Sequence, residues 1–185
     1  REIPHIRIIR IGSKMPAFNP FRIINDPSLL EMFEKYSGPD VGRIYVMAHF
    51  NHPRELTAHA REGLDLLQKT GVTTINQTPM IRGINDNVET LRELFEELSL
   101  IGVPPYYGFH CRPTEGNEAY SMPIEEGYQI FLEAQRKASG LARRARYSMS
   151  HATGKIEIAA LLEDRIVFRY HRAADPTMDG ITMDF

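Results

Sequence analysis

The stretch Arg43-Ile44-Tyr45-Val46-Met47-Ala48 … Leu56 … Ala60 … Leu64 … Leu67 … Gly71-Val72-Thr73-Thr74-Ile75 decides the fold. Its first six residues form a short apolar run of the kind seen in strands buried on both faces. After the loop His49-Phe50-Asn51-His52-Pro53, apolar residues recur at helical spacing. They predict a helix from about Glu55 to Thr70, with Gly71 suited to the left-handed turn that closes it. Val72 to Ile75 returns to β-branched residues and predicts a further strand. Strand, helix and strand in this order make a βαβ unit, whose two strands run parallel.

The same alternation continues on either side. Upstream, Ile6-Arg7-Ile8-Ile9-Arg10-Ile11 reads as a strand stopped by Gly12. Asp26-Pro27 supplies an N-cap and a first-turn proline for a helix bearing Leu29, Leu30, Met32 and Phe33, which ends near Gly38. Downstream, the loop Arg82 to Asn87 precedes a helix from Val88 to Ile101. Tyr106-Tyr107-Gly108-Phe109 is a fourth strand, and Pro123 to Ser139 is again helical in period. Then the pattern changes. Ser148 to Lys155 reads as a small polar loop, and Ile156-Glu157-Ile158 and Arg165 to Tyr170 as strands around a turn at Glu163-Asp164. Asp175 to Phe185 is turn-rich. The expectation is an α/β fold with a mainly parallel sheet, divided into residues 1–140 and 141–185. Four strands carry polar residues at their C-terminal ends, namely Arg10, His49, Gln77 and His110, where α/β barrels and open sheets build their sites.

Composition narrows the function classes. In 185 residues, 22 Lys and Arg face 24 Asp and Glu, for a net charge of −2. That balance offers no long-range attraction to nucleic acid or to an anionic membrane, and no partner of either kind is expected. The apolar runs are far shorter than the ~20 residues of a membrane span. One cysteine, Cys111, excludes a disulfide framework and any all-cysteine metal site within these residues. The N-terminus, Arg1-Glu2-Ile3-Pro4-His5, reads as neither a signal nor a transit peptide, and a cytoplasmic setting is expected. It lacks Met and leads straight into a strand, which suggests a fragment. An unpaired first strand also suggests a homo-oligomer.

Single residues carry weak chemistry, each beside a bland alternative. His49 and His52 can form half a metal site, or serve as loop hydrogen-bonders. Gln77 can read a polar ligand edge, or satisfy its turn together with Asn76. Lys155, after Gly154, can form a Schiff base if its neighbours depress its pKa, or be a solvated surface lysine. Arg112 can clamp a carboxylate, or pair with Glu115 at the surface. Cys111 reads as a small buried apolar residue, and Arg143-Arg144-Ala145-Arg146 as a solvated loop.

These weak signals occur together in one order: Ile9-Arg10-Ile11-Gly12-Ser13, His49-Phe50-Asn51-His52-Pro53, Asn76-Gln77-Thr78, Arg82-Gly83-Ile84-Asn85-Asp86, Pro105-Tyr106-Tyr107 and Gly154-Lys155-Ile156. The series resembles the lysine 2,3-aminomutase family from about Arg1 to Gly180. The resemblance implies the last four strands of a partial (β/α)6 radical S-adenosylmethionine barrel of TIM-like kind, with a small C-terminal β-containing segment. It implies an isomerase that uses pyridoxal 5'-phosphate, S-adenosylmethionine and a [4Fe–4S] cluster to move an amino acid's α-amino group to the β-carbon. It implies that Lys155 is the Schiff-base lysine for pyridoxal phosphate, and that His49 and Gln77 line the S-adenosylmethionine pocket.

Two departures qualify it. The family's CxxxCxxC cluster loop has no counterpart here, so the chain alone is expected to be inactive. Lysine-specific members also carry two aspartates that grip the substrate's ε-ammonium; here those positions are Arg112 and Ser148. A cation facing a cation is repulsive, so an anionic or neutral substrate such as glutamate is expected. The alternatives are a non-catalytic ligand- or partner-binding relative, and a metal-dependent hydrolase using His49, His52 and His110. The hydrolase lacks an acidic ligand at any of the four strand ends.

Overall fold

The computed structural model describes residues 3–112 and 114–185; Arg1, Glu2 and Pro113 lie outside the described residues. Among the described residues, eight strands form one sheet whose spatial order follows the chain. Strands β1 (Ile8–Ser13), β2 (Arg43–Ala48), β3 (Thr73–Pro79), β4 (Pro105–Phe109) and β5 (Arg146–His151) pair in parallel. Strands β6 (Gly154–Leu161), β7 (Ile166–Ala173) and β8 (Thr182–Asp184) add antiparallel to them.

Helices make the parallel connections. Two short helices, α1 (Met15–Phe18) and α2 (Phe21–Ile24), and the longer α3 (Pro27–Tyr36) join β1 to β2. Then α4 (Ala58–Lys69), α5 (Val88–Leu100) and α6 (Ile124–Lys137) each fill one crossover. Asp26 caps α3 by accepting from the Leu29 amide at 3.1 Å, as its place before Pro27 predicts. Helix α4 begins at Ala58 rather than Glu55, because Pro53 to Glu55 forms a 3-10 turn of its own and Thr57 is the cap. No helix among the described residues is long and apolar enough to cross a membrane.

The two faces of the sheet follow the alternation of strand side chains. Ile44, Val46 and Ala48 of β2 and Thr74, Asn76 and Thr78 of β3 are buried. Leu64, Leu91, Leu94, Phe95 and Phe131 from α4 to α6 join Tyr147, Ile156 and Ile158 in the larger core, and Phe33 of α3 packs with Ile44 and Val46 in a smaller one. At Gly108 the helix layer comes so close that a Cβ would stand 2.8 Å from the Phe131 ring. The opposite face carries Arg10, Met47, Gln77, Tyr107 and Lys155.

The segment from Ser148 to Lys155, expected as a loop, is instead a hairpin. Ser148 to His151 belongs to β5, and Lys155 is the second residue of β6. Tyr147 and Met149 alternate with Ser148 and Ser150. Tyr147 buries against Phe131, and Met149 sits across from Ile156. That alternation is a strand signal, though serines on the other face dilute it. Four parallel strands were expected, and β5 makes a fifth. The basic run Arg143 to Arg146 is likewise ordered: Arg143 donates to the carbonyls of Ala138 and Arg136 at the end of α6, where cations complement the helix dipole.

Candidate functional site

A cavity of about 620 Å³ opens on the face of the sheet away from the helices. It is lined from β1 (Arg10, Gly12) across to β7 (His171, Arg172). On a flat sheet those two strands would lie about 29 Å apart, at six strand spacings. Yet the charge of Arg10 on β1 acts on Lys155 of β6, and the His171 ring of β7 lies 5.8 Å from the Tyr107 ring of β4, so the sheet curls and its first and later strands face one another. Gly12, Met47, Gln77 and Phe109 stand near the C-terminal ends of parallel strands, whereas Arg10 and Tyr107 are mid-strand and Lys155, His171, Arg172 and Asp179 come from β6, β7 and the turn before β8.

Lys155 lines this cavity. Its Nζ lies 4.2 Å from the centroid of Phe109 and 4.9 Å from that of Tyr107. Burial, and then the Arg10 guanidinium, hold the amine below the ordinary lysine value. Such an amine sheds its proton more readily and can attack a carbonyl. Tyr107 keeps its phenolic proton, because burial and the neighbouring Tyr106 both push its pKa up.

Gln77 lines the same cavity, whereas its neighbour Asn76 does something else. Asn76 is fully buried on the opposite face. It accepts from the Phe50 amide at 2.8 Å and donates to the Phe50 carbonyl at 3.0 Å, and Thr78 also donates to that carbonyl, at 3.1 Å. Asn85 braces the next residue, donating to the Asn51 carbonyl at 3.0 Å. The two readings left open for Asn76-Gln77 therefore divide between them: one residue satisfies backbone, the other faces the cavity.

That clamp holds the loop that carries His49. The His49 Nε2 lies 3.8 Å from where a Cβ on Gly12 would stand, at the cavity rim. Burial and the Lys14 ammonium lower its pKa, so the ring is neutral near pH 7. Lys14 also donates to the His49 carbonyl at 2.9 Å. His52 is spent on the turn, where its Nδ1 accepts from the Arg54 amide at 3.0 Å. His110 meets the Tyr147 hydroxyl at 3.0 Å. Among the described residues no three His, Cys, Asp or Glu side chains group to hold a metal ion.

Arg112 and Ser148 are not brought to Lys155 in the same way. Arg112 is exposed and lines a second, smaller cavity of about 260 Å³ with His110, Cys111 and Ser150. Phe109 lines both cavities. Ser148 is fully buried and lines neither, and its hydroxyl has no partner among the described residues. The Cys111 thiol donates to the Met80 carbonyl at 3.0 Å, and burial pushes its pKa up, as befits an unreactive thiol.

Sequence reasoning missed Tyr106, His171, Arg172 and Asp179. Tyr106 and His171 each sit where the strand register slips by one residue. At these bulges two consecutive residues face the cavity, which plain alternation forbids. His171 accepts from Arg146 Nη1 at 2.9 Å through Nδ1. Arginine can only donate, so this ring is neutral with its proton on Nε2. Burial and Arg146 also lower its pKa.

No protein-family model matches the chain. An Aquifex aeolicus protein named "Putative L-lysine 2,3-aminomutase" is 59% identical over 184 residues, covering 100% of this chain and 49% of its own length. The L-lysine 2,3-aminomutase of Fusobacterium nucleatum is 39% identical over 77% of this chain and 32% of its own. The glutamate 2,3-aminomutase of Clostridioides difficile is 32% identical over the same shares. The chain thus spans about half the length of the first relative and about a third of the other two.

Proposed function

The chain belongs to the lysine 2,3-aminomutase family, and from that membership we propose that the protein moves the α-amino group of an amino acid to its β-carbon with pyridoxal phosphate and S-adenosylmethionine. In this reading the curled sheet is the later part of a partial radical S-adenosylmethionine barrel. When bound, pyridoxal phosphate supplies the conjugated system that carries the nitrogen, and S-adenosylmethionine with a [4Fe–4S] cluster supplies the radical initiation.

The observation that carries the reading is Lys155: an amine of lowered pKa, half-buried in a cavity and set against two aromatic rings. An aldehyde cofactor needs such an amine as its attachment point, and the cavity's volume suits a cofactor-sized ligand. Phe109 and Tyr107 would hold a flat ring by stacking and keep water from it. The neutral His171, with a proton on Nε2, would donate to a polar atom of the bound ligand. Gln77 and the His49 loop lie toward β1 to β3, where the reading puts S-adenosylmethionine. One cysteine cannot supply a cluster's thiolates, so the 185 residues by themselves would turn over nothing.

For the substrate, identity does not separate the lysine relative at 39% from the glutamate relative at 32%. Charge does. Arg112 projects into the cavity next to Lys155's, and it forms no ion pair among the described residues. A lysine ammonium would meet it unfavourably, whereas a carboxylate would meet a bidentate partner. We therefore assign an anionic or neutral amino acid, with glutamate as the leading case.

The test has two parts. Adding pyridoxal phosphate to the chain should produce an imine absorbance band that Lys155→Ala abolishes; in a cluster-bearing protein that includes these residues, the same substitution should remove at least about a thousandfold of turnover, on the order expected when a covalent attachment point is removed. The reconstituted enzyme should then convert glutamate faster than lysine. A band that survives in Lys155→Ala would defeat the site assignment, and faster lysine conversion would defeat the substrate.

A further inference from the structure

We propose that Arg172 and Arg10 form an oxyanion subsite beside Lys155, shaped to take either the cofactor's phosphate or a substrate carboxylate. This rests on reading the large cavity as the cofactor and substrate site.

The argument begins with strand parity. Phe168 and Tyr170 of β7 pack against the hydrophobic core. Side chains two apart share a face, so an unbroken strand would send residue 172 to the core as well. An arginine buried there without a partner would be strongly unfavourable. The register shows how this is avoided. Ile156 pairs with Tyr170 and Lys155 pairs with Arg172, leaving His171 as an extra residue. The bulge reverses the parity beyond it. Arg172 is delivered to the cavity face, directly across from Lys155, and both line the cavity. A bulge sacrifices ladder pairing, and bulges gather next to sites where a side chain must be re-aimed.

From the other side of the curl comes Arg10. Its charge is felt at both Lys155 and Tyr107. Among the described residues, three cationic heads, Arg10, Lys155 and Arg172, thus share a cavity with a single acid, Asp179, whose carboxylate already accepts from the Ala173 amide at 2.6 Å. Neither arginine forms an ion pair among the described residues. Arg10 and Arg172 are exposed and only Lys155 is half-buried, so solvent weakens their mutual repulsion without abolishing it, and a bound anion relieves what remains. Two guanidinium forks suit an oxyanion with several acceptor atoms.

Calorimetric titration of the protein with inorganic phosphate and, separately, with glutarate reads the subsite without any turnover. Arg172→Gln should weaken one or both at least tenfold, and Arg172→Lys should lie between it and the unaltered protein. Arg165→Gln, at an exposed arginine paired with Asp164 and Asp184, should change neither. Weakened phosphate together with weakened pyridoxal phosphate assigns the subsite to the cofactor. Weakened glutarate with phosphate unchanged assigns it to the substrate. If Arg172→Gln and Arg172→Lys bind both anions as the unaltered protein does, or if the unaltered protein binds neither, the subsite is refuted. Loss of the aminomutase reading would show instead as no β-amino acid product from a cluster-bearing protein that includes these residues, with the anion titrations unaffected.

Discussion

The parallel half of the sheet, β1 to β5, and the antiparallel half, β5 to β8, do different work. Each of β1 to β4 is followed by a helix, and from β2 onward the helix-facing side is closed: Asn76, Leu94 and Phe95 are all fully buried. The antiparallel half is joined by short turns, and its buried apolar residues on β6 and β7 are Ile156, Ile158 and Phe168. Yet it supplies Lys155, His171 and Arg172. The parallel half makes a rigid wall and pins loops to it. The antiparallel half delivers reactive groups, because hairpins and bulges set register one residue at a time.

If the parallel half carries stability, Asn76→Ala should break more than a local contact. It removes the clamp on Phe50 and leaves a buried amide and carbonyl under-satisfied, at a cost of about 2–4 kcal/mol in urea unfolding. Gln77→Ala, one residue along on the cavity face, should cost under about 1 kcal/mol and act on ligand binding instead. Equal destabilisation by the two would erase the distinction between the faces.

The antiparallel half should show the converse at Gly154. Its φ of +142° disfavours any side chain, and an added Cβ would run into the Arg172 carbonyl. Gly154→Ala should cost about 1–3 kcal/mol and, by prising β6 from β7 beside Lys155, slow the capture of pyridoxal phosphate measured by absorbance. An unchanged capture rate would mean that the hairpin need not be held so closely.

The smallest effect ties the halves together. Burial and Arg10 keep Lys155 below the ordinary lysine value of 10.5, so between its lowered value and 10.5 the unfolded chain binds more protons than the folded one. Stability from this group therefore rises with pH through that window, and the strain is fully present below it. Arg10→Gln removes the cation, so the pH at which cofactor capture is half-maximal should move up. No upward move would show that β1 does not act across the curl.

Much of the framework was legible. The periods of β2, α4, α5 and α6 arise because each buries one definite face, and that requirement is written into consecutive residues. Gln77 and Lys155 were legible as candidates but not as partners. Asn76 and Gln77 look alike in sequence; only their opposite directions from the strand separate a brace from a cavity wall. Strand β5 was missed because Ser148 and Ser150 thin the alternation of Tyr147 with Met149. Arg172 was missed for a stronger reason, since parity along β7 points it the wrong way.

The amino-acid sequence by itself determined the main strands and helices from β1 to α6, and the polar residues carried on or just past the parallel strands, although Arg10 and Gln77 lie within β1 and β3 rather than at their ends. Periodicity is a local consequence of burying one face, so it needs no knowledge of neighbours in space. The tertiary structure alone decided that Arg10 and Arg172 share a cavity with Lys155, and that His171 joins them. Those facts depend on the curl of eight strands and on two register slips, and a one-residue slip reverses every side chain beyond it.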